Sequence, residues 1–330
     1  MGRLLSHALE QGFSAFRCLN GLGPLGLLRA RAVGSTLAVE RPEELMTPTA
    51  LLPEAPLQTG LPALRTVPPH LAGRRFGHAR HTPTTSIVIP AMNEAENLPH
   101  VLRRLPASVD EVILVDGNSE DDTVAVARRE YPGIRVVTQT GRGKGDALAA
   151  GFAVARGQII VMLDADGSTD PAEIPLFVEA LVTGADLAKG TRFALGGQSD
   201  DITRLRTFGN RFLRTAVNLL YGVRHTDLCY GYMAFWRKCL ADLNIDCDGF
   251  EVETLITVRA ARARLEVSEV PSVERPRIHG ESNLRTWRDG RRVLSTLVRE
   301  RFRRRRRAEG GAAAPVVGLS ELTVTEPVRS

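Results

Sequence analysis

Two carboxylates two residues apart, Asp164 and Asp166, follow directly on the apolar run Gln158-Ile-Ile-Val-Met-Leu163. Such a pair suits a hard divalent cation, Mg²⁺ or Mn²⁺, which takes oxygen ligands and keeps positions open for phosphate oxygens. A solvated turn uses the same residues, and a lone Asp-x-Asp does not separate the two readings. Lys144 stands between glycines in Gly141-Arg-Gly-Lys-Gly145, where a phosphate could approach the backbone, although a loop lysine is by default only solvated. The loop lacks the four-residue gap and the Ser/Thr of a P-loop, and Gly141-x-Gly143-x-x-Asp146 misses the third glycine of a dinucleotide fingerprint. Neither an ATPase nor a dehydrogenase is favoured. Asp116 ends a second apolar run, where a carboxylate either accepts hydrogen bonds from a nucleobase or ribose, or caps the next helix.

These groups need a sheet to bring them together. Unbroken apolar runs bounded by turn residues read as strands buried on both faces: Thr85-Ser-Ile-Val-Ile-Pro90, Glu111-Val-Ile-Leu-Val-Asp116, Arg135-Val-Val-Thr138 and Gln158 to Leu163. Single helical patterns separate them, so the connections are parallel crossovers in an α/β sheet with helices on both faces. Open sheets of this kind bind ligands outside the carboxyl ends of their strands, where Asp116 and the Asp164/Asp166 pair stand. Asn93 with Glu96 reads as a capped helix start, and a further helix from Pro171 and a strand at Asp186-Leu-Ala-Lys189 extend the sheet. From Ile202 to Tyr221, Leu205, Phe208, Phe212, Ala216, Leu219 and Leu220 recur at helical spacing opposite Arg204, Arg211 and Arg214. That pattern fits core packing with solvated arginines, or a basic amphipathic helix near a membrane.

The chain has 330 residues and a formal charge of +5, much of the excess lying in Arg299-Glu-Arg-Phe-Arg-Arg-Arg-Arg-Arg307. Residues 1–83, rich in proline and glycine without sustained periodicity, are expected to be a disordered extension before a catalytic domain at 84–302. The basic run and tail at 303–330 are expected to be disordered too. Glu10, Gln11 and Pro24 interrupt the early apolar residues, so a secretory leader is not expected, and Met46 is an alternative start. Four cysteines without a Cys-x-x-Cys spacing fit a reducing compartment. No stretch approaches the roughly 18 apolar residues of a membrane span. The expected location is therefore cytoplasmic, with peripheral contact on the inner face of the membrane. No aromatic platform accompanies the arginine run, so nucleic acid is not an expected partner and anionic lipid is.

Pro90-Ala-Met-Asn-Glu94, Val115-Asp-Gly-Asn-Ser119, Gly143-Lys-Gly145 and Asp164-Ala-Asp166, in this order and at these intervals, resemble the family-two glycosyltransferases of GT-A fold. Within them the chain resembles the polyprenyl-phosphate (dolichyl-phosphate) mannose synthases, over about residues 84 to 300. The resemblance implies a GDP- or UDP-linked sugar donor, with Pro90, Ala91, Glu94 and Asp116 around the nucleotide and Lys144 near the same site. It implies Asp164 and Asp166 at the metal and diphosphate. Arg275-Pro-Arg-Ile-His-Gly-Glu-Ser resembles the family's Arg-x-x-Gly-x-Ser loop, which implies that Arg277 meets the acceptor phosphate with Arg192 and Arg206, while Asp227 contacts sugar hydroxyls. Asp166 and Arg277 are the expected catalytic residues. The chain departs from the pattern at Gly117, where relatives carry a second acid, at Ser168, where some carry Gln, and at Asn283, where many carry Lys. The resulting expectation is a metal-dependent, inverting hexosyltransferase acting on polyprenyl phosphate. A small hydroxyl acceptor of the glycerate or natural-product type is the alternative, and a scaffold without turnover is a third reading.

Overall fold

The apolar runs become strands in the order in which the sequence presents them, and the computed structural model describes residues 82–281, 286–303 and 323–326. Residues 1–81, Ser282, Asn283 and Arg304 to Arg307 lie outside these, so the expectations placed on them do too. Strands β1 (Thr85–Ala91), β2 (Glu111–Asp116), β3 (Arg135–Thr138) and β4 (Ile159–Met162) run parallel in the spatial order β3-β2-β1-β4. Helices α1 (Leu98–Leu102), α2 (Thr123–Glu130) and α3 (Lys144–Val154) lie on the crossovers, and α4 (Ile174–Val182) leads into β5 (Leu187–Thr191).

The second half of the chain extends the sheet differently. After β6 (Gln198–Ser199) and the long helix α5 (Arg204–Tyr221), β7 (Met233–Trp236) inserts antiparallel between β4 and β5. Helices α6 (Leu240–Leu243) and α7 (Val252–Ala263) precede β8 (Val267–Pro271), which is parallel to β5. β9 (Val273–Glu274) pairs with β6 in a small separate ribbon, and α8 (Thr286–Phe302) follows.

Both faces of the sheet are covered, as the unbroken strands require. Leu98, Val101, Val126 and Phe177 pack on one face, with Leu148, Phe152, Leu255 and Ile256 on the other. Each such fully buried side chain contributes about 1.5–3 kcal/mol. Strand order reverses at β1, which has β2 on one side and β4 on the other, and the crevice beyond their carboxyl ends is where such sheets bind ligands.

Three expectations need correction. The helix read from Asn93 starts only at Leu98. Asn93 itself takes a left-handed φ of 58°, which asparagine tolerates. From there it ties the end of β1 to the turn after β2, through its N–H to Ser119 Oγ (2.9 Å) and Glu120 N–H to its Oδ1 (2.8 Å). The tail is not wholly unstructured, because β10 (Val324–Thr325) pairs antiparallel with β3, where β-branched residues suit an open sheet edge. Finally, the apolar stripe of α5 is not core: Leu205, Phe208, Phe212, Leu219 and Leu220 are exposed, Phe208 by 71 % and Leu219 by 80 %, while the buried Val217 lies outside it.

Candidate active site

The crevice holds a cavity whose lining includes Pro90, Ala91, Glu94, Lys144, Asp164 and Asp166. Lys144 opens α3 and points its ammonium at two carboxylates, 2.7 Å from Asp164 Oδ1 and 2.9 Å from Glu253 Oε1. Burial alone would lower its pKa, but Asp164 and Glu253 outweigh that and hold the ammonium above the ordinary lysine range. The flanking glycines have a structural cause rather than phosphate approach. A Cβ on Gly143 would come within 2.2 Å of the Asp248 carbonyl oxygen, and one on Gly145 equally close to that of Cys247. Their absence lets the 247–249 backbone seat on the start of α3, where Gly145 N–H donates to Asp248 O (2.9 Å). Gly231 serves the same cluster from the other side, since its Cβ would lie 2.8 Å from both Lys144 Nζ and Glu253 Oε1.

Asp166 sits in the turn after β4, where its Oδ1 accepts the Ser168 N–H at 3.0 Å. The 275–279 strip crosses this turn, with Arg275 N–H donating to Ser168 O (2.8 Å) and Ile278 N–H to Asp166 O (3.2 Å). Arg277 is thereby carried to the donor-side acids: its Nη2 is 2.5 Å from Glu94 Oε2 and its Nη1 3.6 Å from Asp166 Oδ2. Burial raises the Glu94 carboxyl above its ordinary range, and the bonds from Arg277 and Asn97 only partly offset it. Arg277 lines both this cavity and the neighbouring one, so its position is not confined to the acceptor side.

The donor set fits a hard cation. Asp164 and Asp166 offer carboxylate oxygens to an open cavity, and among the described residues no group of three or more His, Cys, Asp or Glu gathers as a metal site. Two protein ligands leave most of an octahedral shell to water and phosphate oxygens, the arrangement Mg²⁺ favours.

Asp116 is held locally at the end of β2. It is 7 % exposed, is not part of the cavity lining, and its carboxylate accepts the Ser119 N–H at 3.2 Å, so it fastens the 117–119 turn. Gly117 lines the cavity in its place. Two lining residues were not legible beforehand. Gln139 donates from Nε2 to Gly143 O (2.8 Å), and Phe250 places its ring 5.9 Å from Lys144 Nζ. Gln139 directly follows β3, and Phe250 stands between Asp248 and Glu251 ahead of α7, positions that only the fold brings to the cavity.

A second cavity, of about 250 Å³, shares Lys144, Asp164, Asp166, Phe250 and Arg277 with the first, and residues of α5 and α8 line its other side. Arg206 faces it, with its side chain 31 % exposed and 3.8 Å from Asp201. Arg192 also lines this cavity and is anchored from behind by Asp227. Asp227 is wholly buried and takes Arg192 Nε (2.7 Å) and Nη2 (3.0 Å), while Glu274 takes Nη1 and the Cys229 carbonyl a second bond from Nη2. The Arg192 fork is therefore held by protein acceptors on Nε, Nη1 and Nη2. Asn210 of α5, unremarked in the sequence, completes this cluster: it donates to Asp227 Oδ1 (3.0 Å) and accepts from the N–H groups of Leu228 (3.2 Å) and Cys229 (3.1 Å). Behind it, His225 is held down to about 4, first by burial and then by the buried Lys189 ammonium.

Comparison with known proteins agrees with this geometry. Residues 86–243 match the model of "Glycosyl transferase family 2". The chain is 32 % identical over 216 residues to glycosyltransferase AglJ of Haloferax volcanii, spanning 64 % of this chain and 70 % of that protein. It is 33 % identical over 213 residues to polyprenol monophosphomannose synthase of Mycolicibacterium smegmatis, spanning 61 % of this chain and 80 % of the relative. Among solved structures, glucosyl-3-phosphoglycerate synthase of Mycobacterium tuberculosis with Mn²⁺, UDP and glucosyl-3-phosphoglycerate superposes with a TM-score of 0.55 at 27 % identity, over 66 % of this chain and 80 % of that one. Sequence, sheet order and the acidic turn after β4 agree: the chain belongs to glycosyltransferase family 2 and is a glycosyltransferase of GT-A fold.

Proposed function

We propose that this enzyme transfers a hexose from a GDP- or UDP-linked donor to the phosphate of a polyprenyl phosphate, with inversion. The observation that carries the reading is the wall shared by the two cavities, built from Lys144, Asp164, Asp166 and Arg277. An in-line displacement needs the leaving diphosphate and the attacking oxygen on opposite sides of one anomeric carbon, and two cavities meeting at a charged wall provide that arrangement. The polyprenol monophosphomannose synthase relative supports the acceptor class.

In this reading Lys144, kept protonated by its carboxylate neighbours, faces the diphosphate as negative charge develops there. Asp164 and Asp166 would hold Mg²⁺ or Mn²⁺, which supplies further neutralisation of the leaving group when bound. Arg277 and Arg206 orient the acceptor phosphate, for which guanidinium forks are well suited. No base has to deprotonate that acceptor, because a phosphate monoester with a second pKa of about 6 is already mostly dianionic at neutral pH. Among the described residues no helix is long and apolar enough to cross a membrane, so the reading includes peripheral contact with anionic lipid through the Arg303 to Arg307 run.

A hydroxyl acceptor is the second reading, favoured by the phosphoglycerate-bound structural neighbours. Glu253 on the acceptor cavity would then take the proton. Incubation with labelled GDP- and UDP-sugars, Mg²⁺ or Mn²⁺, and either polyprenyl phosphate or 3-phosphoglycerate decides between the two. Label partitioning into organic solvent supports the lipid-phosphate reading, and transfer to phosphoglycerate alone overturns it.

A further inference from the structure

Helices α5 and α8 pack side by side, joined by the Tyr221 hydroxyl donating to Leu297 O (3.0 Å) and by the buried cluster of Val217, Leu228, Val258 and Leu297. That cluster uses only one side of each helix. On α5, Leu205 (53 %), Phe208 (71 %), Phe212 (57 %) and Leu219 (80 %) fall on one stripe and remain exposed. On α8, Trp287 (79 %), Leu294 (39 %), Val298 (50 %) and Phe302 (80 %) do the same.

The charges on these helices are sorted to match. α5 contains no acid, and its exposed arginines Arg204 and Arg211 flank the apolar stripe. α8 contains two acids, Asp289 and Glu300, and buries both, while Arg288, Arg291, Arg292, Arg299 and Arg301 are exposed. The exposed acids close to these helices, Asp200 and Asp201 before α5 and Asp246, which pairs with Arg303 (2.8 Å) just after α8, belong to neither helix. Large apolar residues bordered by cations of one sign are the surface that seats in the headgroup region of an anionic bilayer, and that sign selects lipid over an ordinary protein partner. The cavity described above is walled by the same helices: Leu205, Arg206, Gly209 and Leu213 of α5 and Gly290 and Val293 of α8 line it.

From this we infer that the joint α5–α8 face is the seat of the enzyme on an anionic membrane, placing the mouth of the acceptor cavity at the lipid surface. The inference rests on the polyprenyl-phosphate reading for its purpose, but not for its test. It differs from contact through the Arg303 to Arg307 run, because the apolar residues of the face enter the lipid and do not merely hover over it.

The chain has two tryptophans, Trp236 and Trp287. Trp236 is half-buried with its indole N–H donating to Ala185 O (3.0 Å), so Trp287 reports on the face. With the full chain and vesicles of phosphatidylglycerol and phosphatidylcholine, Trp287 emission should shift to the blue and be quenched by brominated acyl chains, and Trp287→Phe should remove both signals. Phe208→Ser with Phe212→Ser should weaken vesicle binding by roughly tenfold or more. Both side chains are mostly exposed, so the melting temperature should be unchanged. Pure phosphatidylcholine vesicles should bind at least tenfold more weakly. Wild-type vesicle binding by the double variant, or a Trp287 spectrum indifferent to vesicles, overturns the inference. So does a dimer in sedimentation that the double variant dissolves, since the face then serves a second copy. Shielding of Trp287 from iodide in lipid-free protein also overturns it, because another part of the chain then covers the face. A water-soluble short-chain prenyl phosphate separates the two levels: transfer to it without vesicle binding fails the seat alone, and vesicle binding without such transfer fails the lipid-phosphate reading.

Discussion

The donor side and the acceptor side of the site were read from the same kind of motif, yet the structure treats them differently. On the donor side Glu94, Lys144, Asp164 and Asp166 converge because each stands at or just beyond the end of a strand or the start of a helix. On the acceptor side Arg192 and Asp227 turn inward and satisfy each other, 35 residues apart, with Glu274 a further partner 82 residues from Arg192. Position at a strand end is set by topology and survives as local sequence. The direction of a charged side chain is set by whichever distant partner reaches it, and a short motif does not encode that.

The largest expected effect sharpens the donor half. Asp166→Ala should lower turnover on the order of a thousandfold, with metal-dependent donor binding lost, because the charge that neutralises a leaving group is removed. Titration calorimetry with donor and Mn²⁺ checks it, and wild-type donor affinity would remove Asp166 from the metal site. Asp227→Ala addresses the acceptor half. It leaves the Arg192 charge buried without its main partner, so stability should drop by about 4 kcal/mol in denaturant unfolding. A variant of normal stability with a raised acceptor KM would restore Asp227 to direct ligand contact and break the contrast.

His225 gives a pH test of the same buried cluster. Its folded pKa lies near 4, below its ordinary value of 6.5, so the unfolded chain binds a proton in that window that the folded chain refuses. This contribution to stability is complete above pH 6.5 and is lost as the pH falls towards 4, by up to about 3 kcal/mol. Unfolding curves across that range should show the loss, and His225→Phe should flatten that part of it. Identical slopes in the two proteins would place the titration elsewhere. The smallest effect concerns Glu253→Gln, which keeps an oxygen for Lys144 and removes a charge. With a phosphate acceptor kcat should fall by no more than about tenfold and the pH profile should keep its shape. A collapse with loss of the basic limb would make Glu253 the base of a hydroxyl acceptor.

Much of this was legible. The four parallel strands stand in the alternation of apolar runs with single helical patterns, and the Asp164 turn follows from the fourth of them. Asp116 was ambiguous between a nucleotide ligand and a cap of the next helix, and the structure shows its carboxylate taking the Ser119 N–H of the turn before that helix. The glycines beside Lys144 carried a true signal of close approach, but what approaches is the 247–249 backbone, from about a hundred residues downstream, which local reasoning could not see. Asn210 was hidden because a polar residue on an amphipathic helix looks solvated until its partners at 227–229 are known. The stripe of α5 was found by its spacing, but its core-packing reading fails because the stripe faces outward, and periodicity reports a face and not what covers it.

The pairing of β10 with β3 has a bearing on solubility. A strand at the end of a sheet offers a row of unsatisfied N–H and C=O groups that can template pairing with another molecule. Here the chain closes that row itself: Thr138 N–H donates to Thr323 O (3.2 Å), and Glu326 lies across the margin within 3.3 Å of Arg135 and 2.8 Å of Arg156. Shortening the protein after α8 to remove its arginines would therefore also bare β3, and a gain in self-association could be mistaken for a change in lipid binding. Replacing Arg304 to Arg307 in place leaves that margin sealed.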